Sequence, residues 1–397
     1  MTPTRAFQLF HLLVLLVFAG TGLRFAGFSV IVDDELRNLL TVQNIAATGS
    51  VWLTEARVAL YQSQFGDRWP LPRSAVGQYG YSKHGVANLI PLVPLYLVQP
   101  RLIFLGNLPW LLLILYILRR WQRQWQRPEA NYYYAALFLI FGSTVTPYWF
   151  TLYPHLFVAA MLLACCHWGS DYADTGRPAA RWLAALAGAG MIISRPETVV
   201  LLVLPLLALA VRSARARRWP GLLTVGGLAA LAVGYTAVLH WLRTGNPLDS
   251  GEGMFSWSAD GLLGNIVQPH RNLFLTNLPL LLLFPEWRQL RRLAPALAAA
   301  ISAWLLYSSW HGWHYGYMRY LQVCVVLLLP ALLLVRIRPL ALVLLAGGLL
   351  LNTPYFFLPL FDVAQSMGAS DAVPGAWHDP WAALQLLLLL LRGLLAG

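Results

Sequence analysis

Apolar runs at or near membrane-spanning length recur along the whole of this chain. They cover residues 7–26, 86–118, 132–150, 154–168, 182–194, 198–211, 220–241, 273–285, 294–309, 321–335, 340–352 and 381–396. No other feature constrains the fold as strongly. Backbone in lipid must satisfy its own hydrogen bonds, so only helices and closed barrels cross a bilayer. Continuous apolar runs without two-residue alternation select helices. Of the 397 residues, 58% are hydrophobic and 11% charged, against about 25% charged in a soluble domain. That deficit excludes a disordered chain, a coiled coil and an ordinary cytosolic enzyme. The expected fold is an all-α polytopic bundle of about 12 transmembrane helices with both termini inside.

The formal charge of +12 would suggest nucleic acid in a soluble protein. Here it reads first as topology, because Lys and Arg are retained on the cytoplasmic side. The clusters Arg119/Arg120/Arg123/Arg127, Arg212/Arg215/Arg217/Arg218, Arg288/Arg291/Arg292 and Arg336/Arg338 all fall between apolar runs. Placed inside with Arg5, Arg177, Arg181 and Arg392, they leave 17 basic and 4 acidic residues on that face. The other face keeps 11 basic and 12 acidic residues, so one orientation absorbs the whole excess and no nucleic-acid partner is implied. The cysteines, Cys165, Cys166 and Cys324, lie within or at the inner ends of apolar runs, and no disulfide is expected. The run 7–26 could be a cleaved signal peptide by its small residues. The hydrophobic chain beyond it favours an uncleaved first helix.

Several runs are shorter than the ~20 residues a straight crossing needs. Arg195-Pro196-Glu197 splits one stretch into 182–194 and 198–211, and such breaks need protein or water around their free backbone groups. They suggest a polar cavity opening to the outer face. Segment 86–118, interrupted by Pro91, Pro94, Pro100 and Arg101, fits one pass preceded by a re-entrant helix, or three short passes. Inner loops are short and basic. The outer loops, about 29–83, 243–272, 310–320 and 353–380, hold most of the residue types that do chemistry. After the acidic triplet of the first loop, Leu36, Leu39, Leu40, Ile45 and Ala46 form an apolar stripe, which predicts an amphipathic helix on the membrane surface.

Asp33, Asp34 and Glu35 directly follow the first run. One carboxylate could accept a proton from an acceptor hydroxyl, and Asp34 with Glu35 could hold a divalent metal ion as a cofactor. The same acids would also suit a solvated turn and a helix N-terminus. Tyr81-Ser82-Lys83-His84-Gly85 ends the first loop, just ahead of a glycine-containing helix start, and Lys83 is the only lysine in the chain. An ammonium at a helix N-terminus attracts phosphate, while a lone interfacial lysine can also simply snorkel. Arg195 is ionisable at membrane depth, which marks a functional position unless it only pairs with Glu197. Tyr153-Pro154-His155 is a similar break. His270 and Arg271 precede another short run, and 310–320 carries Trp310, His311, Trp313 and Arg319 among tyrosines. A guanidinium holds phosphate bidentately, and aromatic faces stack on sugars as well as forming interfacial belts.

In their order these pieces resemble the GT-C superfamily of polytopic glycosyltransferases, in particular protein mannosyltransferases and bacterial lipid A aminoarabinose transferases. The resemblance rests on the acidic motif after the first span, Ala46-x-Thr48-Gly49-Ser50, the Tyr81–Gly85 segment with Pro91 and Pro94, Gly245-Asn246-Pro247-Leu248, His270-Arg271-Asn272-Leu273-Phe274, and Trp310 through Tyr320. It covers roughly residues 7–335. It implies a catalytic region 1–335 that includes loop 29–83, followed by C-terminal helices and a loop over 336–397. It also implies a sugar donor on a polyprenyl phosphate, and transfer at the non-cytoplasmic face, usually with inversion. The acceptor would be a glycan, lipid or protein. The family's catalytic acid falls on Asp34 or Asp33, and its Arg-Gly pair is Arg271-Asn272 here. Lys83, His84, Arg195, Arg271 and Arg319 are then the expected phosphate side. Tyr81, His155, His270, Trp310, His311 and Trp313 are expected to contact sugar or acceptor. A multi-pass protein of a bacterial inner membrane, its site facing outward, is the expected setting. The competing reading is a transporter or flippase of a lipid-linked saccharide, which would need a similar cationic cavity but often shows repeats that this chain lacks.

Overall fold

A computed structural model of the chain describes residues 3–25, 33–65, 74–75, 80–81, 85–247, 272–285, 290, 293–309 and 321–353. The last expected run, 381–396, and loops 248–271, 310–320 and 354–380 lie outside them. Among the described residues the chain is helical, with one isolated β-bridge between Leu53 and Gly80 and no strand. The helices are α1 (Pro3–Phe25), α2 (Asp33–Thr48), α3 (Glu55–Phe65), α4 (Leu92–Val98), α5 (Leu108–Gln124), α6 (Glu129–Phe141), α7 (His155–Thr175), α8 (Pro178–Ser194), α9 (Val199–Arg215), α10 (Trp219–Thr244), α11 (Leu273–Thr276), α12 (Ala294–Ser309), α13 (Leu321–Leu332) and α14 (Pro339–Asn352).

Among the described residues, five segments are long and apolar enough to cross a membrane: Phe7–Arg24, Pro100–Gln124, His155–Thr175, Pro196–Arg215 and Trp219–Thr244. Helices α8, α12, α13 and α14 are apolar but shorter. This is the make-up of a multi-pass membrane protein. Of the most apolar stretch of α7, 72% is buried within the protein, against 28% for α10 and 22% for α1. Helix α7 is therefore the centre of the bundle, and α1 and α10 are its rim. On α1 the exposed leucines are Leu9, Leu12, Leu13 and Leu16, a helical stripe turned away from the core. Soluble surfaces rarely show such a stripe, whereas lipid accepts it. Helix α8 packs against both α7 and α10, and its buried Ala180, Ala184 and Gly188 recur every four residues. Small residues at that spacing let helix backbones approach closely, which is how packing works where burial from water contributes nothing.

The described basic clusters gather at one end of the bundle. Arg119 pairs with Glu129, Arg120 with Asp171 and Arg212 with Asp174, joining the ends of α5, α7 and α9 and the start of α6. Arg218, at the start of α10, donates to the carbonyls of Tyr172 and Ala173 at 3.3 and 2.9 Å. Asn131 near the start of α6 donates to the Leu333 and Val335 carbonyls, bringing the turn before Arg336 and Arg338 to the same end. The three cysteines are buried and free.

Three features differ from what the hydrophobic pattern predicts, while segment 86–118 has one of the two make-ups expected of it, a short helix ahead of one long element. Residues 273–285 are no continuous helix but the single turn α11 followed by a 3₁₀ stretch, Leu278–Leu283. Asn277 ends the turn: its amide donates to the Leu273 carbonyl and its Oδ1 accepts from the Thr144 amide, while Pro279 removes a backbone donor. Segment 86–118 contains the seven-residue α4, a 3₁₀ stretch Pro100–Leu105 and the start of α5, with one membrane-length element, Pro100–Gln124. No helix follows Gly85 directly; α4 begins only at Leu92. Helix α2 forms where expected, but its apolar face is covered by protein. Leu36 and Leu40 pack with Leu53, Val58 and Tyr61, and Val42 packs with Leu89, Leu92, Ile103 and Leu152.

Candidate functional site

At the end of the bundle opposite the arginine clusters, non-helical backbone penetrates between helix ends. One such segment joins α6 to α7. Asn107 holds it, its amide donating to the carbonyls of Tyr148, Trp149 and Thr151 at 3.1, 3.2 and 2.9 Å. These bonds replace the helical ones that Pro147 and Pro154 interrupt. The first turns of α2 reach the same segment. Glu35 Oε1 accepts from the Leu152 amide at 3.1 Å, and Asn38 Nδ2 donates to the Leu152 carbonyl at 3.0 Å. Residues three apart share a helix face, so one side of α2 clamps both backbone groups of Leu152. The acidic start of α2 is thereby fixed beside the entrance to α7. Asp33 and Asp34 open α2. Their side chains lie outside the described set.

His155 is the first residue of α7 and is buried. Its ring stacks on Tyr153 at 5.6 Å and meets the edge of Tyr148 at 5.7 Å. Arg195 Nη1 approaches His155 Nδ1 at 3.4 Å. A guanidinium only donates, so Nδ1 is the accepting nitrogen and the ring proton sits on Nε2.

Arg195 owes its position to Pro196. A residue before proline is pushed out of the helical region, and α8 ends at Ser194 with Arg195 extended at φ −145° and ψ 99°. From there Arg195 Nε donates to Glu197 Oε1 at 2.5 Å, with the two side chains 1% and 8% exposed. The freed Ser194 carbonyl accepts from the Gly85 amide at 2.8 Å, and Ser194 Oγ donates to Asn88 Oδ1 at 2.9 Å. Gly85 cannot be anything else in this arrangement. A Cβ there would fall 1.7 Å from the Ile193 carbonyl oxygen.

The structure thus bonds Glu35 to Leu152 and Arg195 to His155, three residues further along the chain, and carries the chain at Gly85 onto Ser194. Tyr81 lies at the same end of the bundle but in a separate cluster. Its ring is buried, with the Arg243 guanidinium 5.0 Å from its centroid and the Trp52 ring edge-on at 6.3 Å. Arg243 closes α10 and accepts the Ala75 amide on its carbonyl at 2.8 Å. Lys83, His84, His270, Arg271, Trp310, His311, Trp313 and Arg319 lie outside the described residues. Asn272, next to Arg271, uses its side chain to cap α11, accepting from the Phe274 and Leu275 amides.

Sequence reasoning missed three of the residues that build this end. Arg37 is 2% exposed and donates through Nε and Nη2 to the Tyr61 hydroxyl at 3.1 and 2.9 Å. It is the only basic residue of α2, a signal available in the sequence. Asn38 was legible only as the neighbour of Glu35 on one helix face. Arg243 looked like the ordinary basic end of a long apolar helix. Among the described residues, no three His, Cys, Asp or Glu side chains are placed to hold a metal ion. No family model matches the chain, and no curated protein or solved structure was found to match it.

Proposed function

We propose that this chain is a multi-pass membrane glycosyltransferase of the GT-C kind. In this reading it moves a sugar from a polyprenyl-phosphate donor to an acceptor hydroxyl on the non-cytoplasmic face of a bacterial inner membrane, with about 12 crossings. The observation that carries the reading is the meeting of three separate pieces at the end opposite the arginine clusters. These are the acidic start of α2, held by Glu35 on Leu152, then His155 at the head of α7, and the buried Arg195–Glu197 pair at the α8–α9 break.

The chemistry divides along these pieces. The acceptor oxygen attacks the anomeric carbon, the bond from that carbon to the phosphate oxygen breaks, and the acceptor proton passes to a carboxylate. A lipid phosphate leaves readily, so the protein supplies a base and positive charge rather than a strong acid. Glu35 already spends one carboxylate oxygen on the Leu152 amide. It therefore positions the helix start, and the base falls to Asp34 or Asp33. Lys83 lies two residues before Gly85 in sequence and joins Arg195, Arg271 and Arg319 as the phosphate side. Tyr81, His155, His270, Trp310, His311 and Trp313 are assigned to sugar and acceptor.

The test is radiolabelled sugar transfer in proteoliposomes holding the purified protein, a polyprenyl-phosphate sugar and no energy source. Label is expected on an acceptor. Label that only crosses the bilayer would replace the enzyme with a flippase. Asp34→Asn is expected to abolish transfer while the protein still inserts and folds; unchanged turnover would remove Asp34 from the mechanism.

A further inference from the structure

One cavity lies away from that site. It has a volume of about 340 Å³ and lies at the basic end, between the last turns of α5, α7 and α9 and the start of α12. His167 lines it and is 2% exposed, yet neither ring nitrogen has a hydrogen-bond partner. A buried imidazole left with a donor and an acceptor unmet is costly unless a ligand or water serves both. Arg215 lines the same cavity as an exposed residue of the last turn of α9. Two acids share the lining, and both are already committed. Asp174 is bonded by Arg212 through Nε and Nη2 at 2.9 and 2.6 Å, and Asp171 by Arg120 at 2.9 Å. The surplus charge is therefore positive and sits on Arg215.

The rest of the wall is two-faced. Trp121 and Trp125, stacked at 5.6 Å, give it the aromatic edge typical of a membrane interface. Val211 and Leu293 give it an apolar flank. A free anion has no use for that flank, whereas an amphiphile uses both halves. Basic pockets between membrane helices on the arginine-rich side suit phosphate headgroups.

We propose that this cavity binds the headgroup of an anionic phospholipid. Arg215 and the outer edge of Arg212 take the phosphate, and headgroup hydroxyls bond the His167 ring, one donating to its accepting nitrogen and another accepting from its N–H. The acyl chains leave along Val211 and Leu293. The site is independent of the glycosyl-transfer reading, and its test does not use transfer as a readout.

Full-length protein, delipidated in a neutral detergent, would be titrated with phosphatidylglycerol, phosphatidylcholine and inorganic phosphate, with native mass spectrometry counting bound molecules. One phosphatidylglycerol is expected to bind more tightly than phosphatidylcholine. Arg215→Gln is expected to weaken it about fivefold, the effect of one arginine at an anionic surface. His167→Phe, which keeps the ring and removes both nitrogens, should also weaken phosphatidylglycerol while leaving phosphatidylcholine unchanged. Equal affinity for the two lipids, or wild-type phosphatidylglycerol affinity in Arg215→Gln, would overturn the proposal. So would displacement of the lipid by inorganic phosphate at the lipid's own concentration, which would make the ligand a soluble phosphate. If His167→Phe does not fold, Arg215→Gln decides alone.

Discussion

Two arginine–glutamate pairs of equal length stand at opposite ends of the bundle. Arg119 Nη2 lies 2.5 Å from Glu129 Oε1 among the arginine clusters, and Arg195 Nε lies 2.5 Å from Glu197 Oε1 at the candidate site. Their surroundings differ. The side chains of the first pair are 13% and 36% exposed, and those of the second 1% and 8%. A pair reached by water contributes about 0–1 kcal/mol, and the charge bias of a membrane protein is reason enough for its arginine. A pair removed from water has lost hydration worth several kcal/mol per ion, which mutual attraction repays only in good geometry. Topology does not account for an arginine in that position. The same contrast runs through the other arginines. Arg120 and Arg212 are 31% and 35% exposed, whereas Arg37, Arg195 and Arg243 are 2%, 1% and 4% exposed. Buried cations at one end and wetted ones at the other distinguish a site from an orientation signal.

Glu197→Gln should test this contrast with the largest effect. It takes the Glu197 carboxylate from a buried guanidinium, and a loss of about 3–5 kcal/mol is expected in unfolding measured in detergent. A loss under about 1 kcal/mol would place the pair on the same footing as the exposed one. Replacing both members, as Arg195→Met with Glu197→Leu, should recover part of that stability, because the two charges leave together. Transfer should be absent from the double variant. A double variant that transfers sugar at the original rate would make the pair structural only.

Gly85→Ala comes next. The new methyl would meet backbone at Ile193, which has no rotamer to yield, so the docking of Gly85 on Ser194 must open. Overpacking of this kind costs about 1–3 kcal/mol. Because Lys83 is two residues away, donor affinity should fall along with stability. Unfolding midpoints and donor titration together check it; wild-type values for both would mean that the approach of the two segments is dispensable.

Much of this architecture was legible in the sequence, and the reasons are local ones. An apolar run such as 7–26 declares a helix by its length, because lipid leaves its backbone few other ways to be satisfied. The end of α8 was written in Arg195-Pro196, because a proline restricts the residue before it whatever surrounds it. Helix α2 was visible for the same reason, but the destination of its apolar face was not: Leu36 and Val42 could have faced lipid as easily as α3 and α4. The run 273–285 misled because apolar composition reports burial and not hydrogen bonding, and Asn277 bonds to Thr144, far away in sequence. The site was half legible. Glu35, His155 and Arg195 each stood out as polar groups at breaks, yet the bond from Glu35 to Leu152 spans 117 positions and has no local signature.

Glu35 separates positioning from proton transfer at that contact. Glu35→Gln keeps an oxygen for the Leu152 amide, so stability should change little and most transfer should remain. Glu35→Ala leaves the amide unmet in a partly buried place, and a loss of about 1–3 kcal/mol is expected in the same unfolding assay. A large fall in turnover for Glu35→Gln at unchanged stability would move the base from Asp34 to Glu35.

Glu129→Gln is the counterpart of Glu197→Gln and should have the smallest effect. The chemical change is identical and the broken distance is the same, so only the surroundings differ. Arg119 keeps its bond to Gln122 at 2.9 Å and lies over the rings of Phe7 and Tyr132 at 4.5 and 5.5 Å. Water reaches both partners, and salt screens what attraction they have. The expected loss is below about 1 kcal/mol, shrinking further as ionic strength rises. Removing an acid does not disturb an orientation set by Lys and Arg, so insertion and transfer should also be unchanged. If Glu129→Gln costs as much as Glu197→Gln in the same detergent, exposure does not separate the two ends, and the buried arginines lose their claim to mark the site.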